Sequence, residues 1–415
     1  MSGQTPESNW SGNHTYAAAR ILRPRTLDEV REMVAAAPSI KALGTRHCFN
    51  DIADFDGGVQ IDIADVASPI EIDPAAATVT VSGATRYGEL ASFLHARGFG
   101  LPNLASLPHC TVAGSVATGT HGSGRRNQGL AAAVSALEIV TADGELRSFG
   151  RGDKDFAGTV VNVGALGVVT RMTLDLVPTF DVRQNVFDGL PWAELLAHFD
   201  EIQDSAYSVS AFTNWANDSV DQVWLKSVGE PRTELFGARP ADGPRHPVHA
   251  AGVSAENCTE QLGVPGPWHE RLPHFRLGFT PSAGDELQSE YFVPYRHAIA
   301  AFEALRGIGH RIAPLALCSE IRTIAGDDLW LSPAQGGDRV ALHFTWQPRQ
   351  DEVEALLPVI EERLAPFEVR AHWGKLFQRN PSDEAWPMLP EFRELRARLD
   401  PNGAFRSPYV VRNIG

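Results

Sequence analysis

The stretch LPNLASLPHCTVAGSVATGTHGSG, Leu101 to Gly124, constrains this chain more than any other. Gly114, Gly119, Gly122 and Gly124 are separated by Ser115, Thr118, Thr120 and Ser123. Residues this small let a backbone approach a bound group closely, and successive N–H groups can form an anion nest. A diphosphate is the natural guest. The pattern is not G-x-x-x-x-G-K-[ST], nor G-x-G-x-x-G between a first strand and a helix, so the P-loop and Rossmann readings both fail. A glycine-rich surface loop stays open, because glycine clusters punctuate loops.

Strand and helix signals alternate around it. Thr26 and Glu29 form a capping box before Leu27, Val30 and Val34, which predicts a helix. SIKALG reads as a short buried strand and ATVTVSG as an alternating one. Tyr87, Leu90, Ala91 and Leu94 fall at helical spacing. Asp143-Gly144 between two strand-like runs marks a hairpin, and GVVTRMTLDLVP is a strand stopping at Pro178. After Pro178 the texture changes. WAELLAHFDEIQ predicts a helix, and 228–268 is a Gly-, Pro-, His- and Arg-rich excursion. ELQSEYFVP, RHAIAAFEALRGIG, CSEIRTI, RVALHFTW, EVEALLPVIEERLAPF and VRAHWGK read as strand, helix, strand, strand, helix, strand. That order predicts an α+β module with helices on one sheet face. The tail from Pro387 reads as a short helix and a Pro/Gly-punctuated end.

The late strands carry polar residues at spacing two. Glu320 and Arg322 share one face, as do His343 and Thr345, and His372 and Lys375 follow in HWGK. A solvated face is the commoner use of such a pattern. The wall of a polar pocket is the other, and this mixture of carboxylate, guanidinium, imidazole and amine suits acid–base work on a hydroxylated substrate.

Composition excludes several classes. The formal charge of −15 argues against nucleic-acid binding and a polybasic membrane anchor. No apolar run is long enough for a transmembrane helix, and the polar start MSGQTPESNWSGN lacks a signal core. Cys48, Cys110, Cys258 and Cys318 form no C-x-x-C pair and read as reduced thiols, which predicts a cytoplasmic protein. A metal-dependent hydrolase using His47, His109, His121, His343 and His372 is a weak alternative, because those histidines lack tight ligand spacing; no metal is expected.

GTRHCFND, the glycine-rich stretch, GALGVVT, PGPWHERLPHF, ELQSEY, SEIRT, HFTW and HWGK occur in order along nearly the whole chain. Together they resemble the alditol oxidases, including xylitol oxidases, flavoproteins of the vanillyl-alcohol oxidase fold. The resemblance implies a two-lobed, PCMH-type FAD-binding domain over 1–178, an α+β cap or substrate domain over 179–375, and a segment 376–415 returning to the first. It implies FAD bound covalently through the His47 ring to the flavin 8α-methyl carbon. Neighbouring Arg46 is expected to keep His47 neutral. Ala42, Leu43, Gly44, Thr45, Arg46, Cys48, Ser106, Thr111, Gly114, Thr118, Gly119, Thr120, His121, Val169 and His372 match cofactor-binding positions. Cys110 lies near where a sister group attaches its flavin a second time, but reads as an ordinary buried thiol.

The activity implied is oxidation of a terminal primary alcohol of a polyol to the aldehyde, with hydride passing to flavin N5 and oxygen becoming hydrogen peroxide. Ser106, Glu320, Arg322, Thr345 and Lys375 match polyol-binding positions. Arg322 and Lys375 would favour alkoxide character at the reacting hydroxyl. Glu320 would take the proton or hold the next hydroxyl. A sugar-1,4-lactone oxidase of the same fold is the alternative, and a monomer is the expectation.

Overall fold

The computed structural model describes residues 7–66, 68–248, 253–279, 282 and 285–415. The N-terminal hexapeptide and residues 249–252 of the Gly/Pro-rich excursion lie outside the described residues.

Among the described residues, three small sheets occupy the first part of the chain, the smallest pairing Phe99–Gly100 with Val177–Pro178. Arg20–Leu22, Val59–Ile61 and Ile40–Ala42 form a parallel sheet with Val59–Ile61 in the centre. The helix Leu27–Ala36 packs on it through Val30 and Val34. Its cap is the predicted one, with Glu29 N–H donating to Thr26 Oγ1 at 3.2 Å. A five-stranded antiparallel sheet holds Glu71–Asp73, Thr78–Ser82, Val168–Asp175, Val134–Val140 and Leu146–Gly150 in that order. Its hairpin turns where expected, with Gly144 at φ 75°.

A nine-stranded sheet dominates the rest. At its centre Ser208–Thr213, Ala316–Ile324, Arg339–Trp346 and Leu287–Pro294 lie side by side, all antiparallel. Period two sorts their side chains. Tyr291, Val293, Ile321, Leu342, Phe344 and Trp346 point to a core closed by the helices Ala298–Arg306 and Gln350–Leu364. The opposite face carries the polar residues. The C-terminal helix Leu389–Leu399 leaves this sheet and packs Leu389, Phe392 and Leu395 into the same cluster as Val116 and Val160.

Three expectations need correction. WAELLAHFDEIQ is two short helices, Trp192–Ala197 and Phe199–Gln203, meeting at His198. The tail has a second helix, Pro408–Asn413, opened by a proline suited to a first helical turn and capped by Ser407. VRAHWGK pairs as a strand only at Arg370–Ala371. Beyond it the chain turns, with Lys375 N–H donating to His372 O at 3.1 Å. The turn is held because Trp373 Nε1 donates to Leu331 O and Gly374 O accepts from Phe49 N, both at 2.8 Å.

Candidate active site

A cavity of about 670 Å³ lies between the glycine-rich segments and the polar sheet face. One wall is backbone and small side chains from residues 42–48 and 111–120. The helix Val112–Ala117 starts here, after Thr111. A Cβ on Gly44 or Gly114 would stand 2.9 or 2.8 Å from Thr111 Oγ1, so a side chain at either position would push the hydroxyl aside. Gly83 comes closer still: its Cβ would be 2.4 Å from the Val169 carbonyl oxygen.

The GTRHCFND turn projects His47 into this cavity. Arg46 adopts φ 63°, a left-handed conformation unusual for a side-chain-bearing residue and typical of constrained functional turns. Arg46 pairs its guanidinium with Glu7. The imidazole is stacked against Trp10, ring centres 5.6 Å apart, with His109 on a further ring contact at 6.4 Å. Burial, followed by His109, lowers the His47 pKa to about 4, with Arg86 adding to the effect. His47 is therefore neutral, but through burial and these neighbours rather than through Arg46. Its Nδ1 is buried without a hydrogen-bond partner.

The facing wall is charged. Register places Glu290, His343 and Glu320 directly across from one another on three adjacent strands. Glu290 is the hub: its Oε1 accepts from Arg322 Nη2 at 2.5 Å and its Oε2 from Lys375 Nζ at 2.7 Å. His121 Nε2 lies 3.2 Å from Oε1. Lys375 Nζ also donates to His343 Nδ1 at 2.9 Å, which leaves a neutral His343 its Nε2–H for Thr345 Oγ1 at 3.1 Å. Glu320 Oε1 meets His274 Nε2 at 2.8 Å, and Arg322 Nη1 reaches Ser106 Oγ at 3.3 Å. Burial opposes ionisation of both glutamates, but Arg322 and a second cationic or imidazole neighbour outweigh it and hold both well below the usual carboxylate range. Glu290 and Glu320 are 1% and 3% exposed, so this face is not solvated. The first half of the chain covers it.

The two turns are tied together. Asn50 Nδ2 donates to Trp373 O at 2.9 Å and Lys375 O at 2.7 Å, which joins the histidine turn to the lysine turn.

Every residue expected at the site lines this cavity except Gly119. Gly119, at φ 68°, turns the chain against Pro333 instead: a Cβ would be 2.6 Å from its Cδ. Cys110 lines the cavity too, and burial pushes its thiol up to about 12. Sequence reasoning missed Glu290, His274 and Lys226. For Glu290 the signal was present, since Gln288 and Glu290 alternate onto one face of ELQSEY. Among the described residues no cluster of His, Cys, Asp and Glu could hold a metal ion, and no helix is long and apolar enough to cross a membrane.

The wall without carboxylates fits a dinucleotide flavin on its own features: closely packed glycines, the helix start after Thr111, and a buried, neutral, partnerless imidazole nitrogen.

Comparisons with known proteins agree. Residues 18–150 match a family described as an FAD binding domain, and residues 285–413 one described as D-arabinono-1,4-lactone oxidase. The chain is 47% identical over 414 residues to an alditol oxidase of a Streptomyces species, covering 98% of both. It is 29% identical to an L-gulono-1,4-lactone dehydrogenase of Mycobacterium tuberculosis, covering 98% of this chain and 99% of the other. Among solved structures, a solvent-stable cholesterol oxidase superposes with a TM-score of 0.79 at 18% identity, covering 98% of this chain and 97% of that one.

Proposed function

The chain belongs to the alditol oxidase family, on the FAD-binding fold of the vanillyl-alcohol oxidases, and from that premise we propose that it oxidises the terminal primary alcohol of polyols such as xylitol and sorbitol. The observation that carries this reading is the buried charged wall. A row of buried polar groups facing a cavity suits a ligand that is itself a row of hydroxyls.

When bound, FAD supplies the acceptor for the carbinol hydride and passes the electrons to oxygen, giving hydrogen peroxide. The protein supplies the rest. Ala42 to Cys48, Thr111, Gly114, Thr118 and Thr120 would hold the cofactor, with the ring of neutral His47 as its covalent tether. Arg322 and Lys375 would face the reacting hydroxyl, where positive charge favours loss of its proton. Glu320 suits the acceptor of a neighbouring hydroxyl better than a base, because Arg322 and His274 keep it strongly acidic. Ser106 and Thr345 complete the polyol contacts. Residues 1–178 with 376–415 would form the cofactor domain and 179–375 the substrate domain. The four free thiols accord with a cytoplasmic enzyme.

The purified protein should be yellow, and its acid-precipitated pellet should keep the colour. It should release peroxide with xylitol, sorbitol or glycerol. Peroxide from L-gulono-1,4-lactone at a higher kcat/KM than from xylitol would instead establish the lactone oxidase reading.

A further inference from the structure

A buried lysine stands behind the charged wall, outside the machinery just described. Lys226, in the strand Ser219–Ser227, is 1% exposed and does not line the cavity. Its Nζ meets three acceptors: Leu272 O at 2.5 Å, Pro273 O at 3.2 Å and His274 Nδ1 at 3.0 Å. His274 turns its other ring nitrogen to Glu320, with Nε2 2.8 Å from Oε1. The second oxygen of Glu320 lies 3.5 Å from Arg322 Nε.

An ammonium has three N–H donors and no lone pair. Three acceptors saturate it, whereas a neutral amine would leave one unmet. Burial pulls Lys226 down to about 7, and the Glu320 charge opposes the pull. With Nδ1 accepting from Lys226, a neutral His274 must carry its proton on Nε2, where it donates to Glu320.

We infer that Lys226 is a positioning residue for polyol binding: by donating to His274 Nδ1 it fixes the imidazole as the Nε2–H tautomer, which pins one oxygen of Glu320 and leaves the other for a substrate hydroxyl. This rests on the reading that Glu320 meets the polyol. The chain Lys226–His274–Glu320 spans three separate segments, and its inner end is a carboxylate of the site held by an imidazole proton. A purely structural lysine would need only the two carbonyls.

The groups facing His274 are Lys226 from one strand and Glu320 and Arg322 from another, with the Trp224 and Phe212 rings edge-on at 5.2 and 5.6 Å. Cys258 also faces Lys226. Burial first, then Lys226, holds His274 down to about 4. Removing the lysine charge therefore raises the His274 pKa towards the ordinary histidine range.

Two measurements test this. In holoprotein labelled with nitrogen-15 at histidine, without substrate, the signal lost in His274→Gln should report a neutral Nε2–H ring from about pH 8 down to about pH 5. An Nδ1–H tautomer or an imidazolium over that range overturns the inference. In Lys226→Met, KM for xylitol should rise about tenfold with kcat changed less. An ionisation shifted up from the parent's value of about 4 should also enter its kcat/KM profile. A variant with the parent KM and profile overturns the inference. Should Lys226→Met fail to fold, the parent spectrum decides. Failure of xylitol to turn over with the parent enzyme would refute the polyol reading instead, and the tautomer still judges the lysine.

Discussion

The wall built from residues 42–48 and 111–120 contains no carboxylate, and its one charged side chain, Arg46, pairs with Glu7. The wall opposite gathers Glu290, Glu320, Arg322 and Lys375 into one network of hydrogen bonds and ion pairs. The first wall recognises with backbone, so what it needs is space, and its weak points are glycines. The second recognises with side chains, so what it needs is neutralisation, and its weak points are the partners of each charge. On the proposed reading, one cavity would divide its labour: an anionic cofactor would meet dipoles, and an uncharged polyol would meet ions.

The largest effect should come from breaking the charged wall at its hub. Glu290→Leu leaves Arg322 and Lys375 facing each other without their shared carboxylate. Losing one partner of a buried ion pair costs about 3–5 kcal/mol, read from urea denaturation at neutral pH. The sign with pH follows from the depressed pKa of Glu290. The carboxylate contributes stability above its unfolded value, about 4.3, and that contribution is lost as pH falls through the lower folded value. The gap between parent and variant should therefore narrow on acidification. A gap that stays constant down to about pH 2 would mean that Glu290 matters for packing and not for charge.

A smaller effect should follow from crowding the other wall. In Gly83→Ala the new methyl meets the Val169 carbonyl oxygen, which is backbone and cannot rotate away. Overpacking of this kind costs about 1–3 kcal/mol. The ratio of flavin to protein absorbance should drop, while the rate of flavin reduction by xylitol per bound flavin stays that of the parent. A loss in both would show that the walls are coupled.

These contrasts also explain what could be read from the residues alone. The wall without carboxylates was legible because it is local: glycines and small hydroxyl residues within one short stretch announce a close backbone approach. So were the Thr26 cap and the Asp143-Gly144 hairpin, whose physics spans a few residues. The charged wall was half legible. Period two put Glu320 beside Arg322 and His343 beside Thr345, but gave no register between strands. Glu290 and Lys375, 85 positions apart, could not be paired. Whether the face was wet depended on what packs on it, and that is a tertiary fact. VRAHWGK looked like a strand by composition, yet the hydrogen bonds of Trp373 and Gly374 to distant segments bend it into a turn. The neutrality of His47 was expected from its neighbour in sequence and arises instead from burial and from neighbours in space.

The central claim is that the charged wall acts on the substrate and not on the cofactor. Lys375→Met keeps the stem and removes only the charge, while Glu290 retains Arg322. The measurement is anaerobic flavin reduction by saturating xylitol in a stopped-flow instrument, together with the flavin content of the same sample. Flavin content should match the parent, and the reduction rate should fall on the order of a hundredfold, as when a donor to a developing oxyanion is lost. Reduction at the parent rate, or loss of flavin in its place, would contradict the claim.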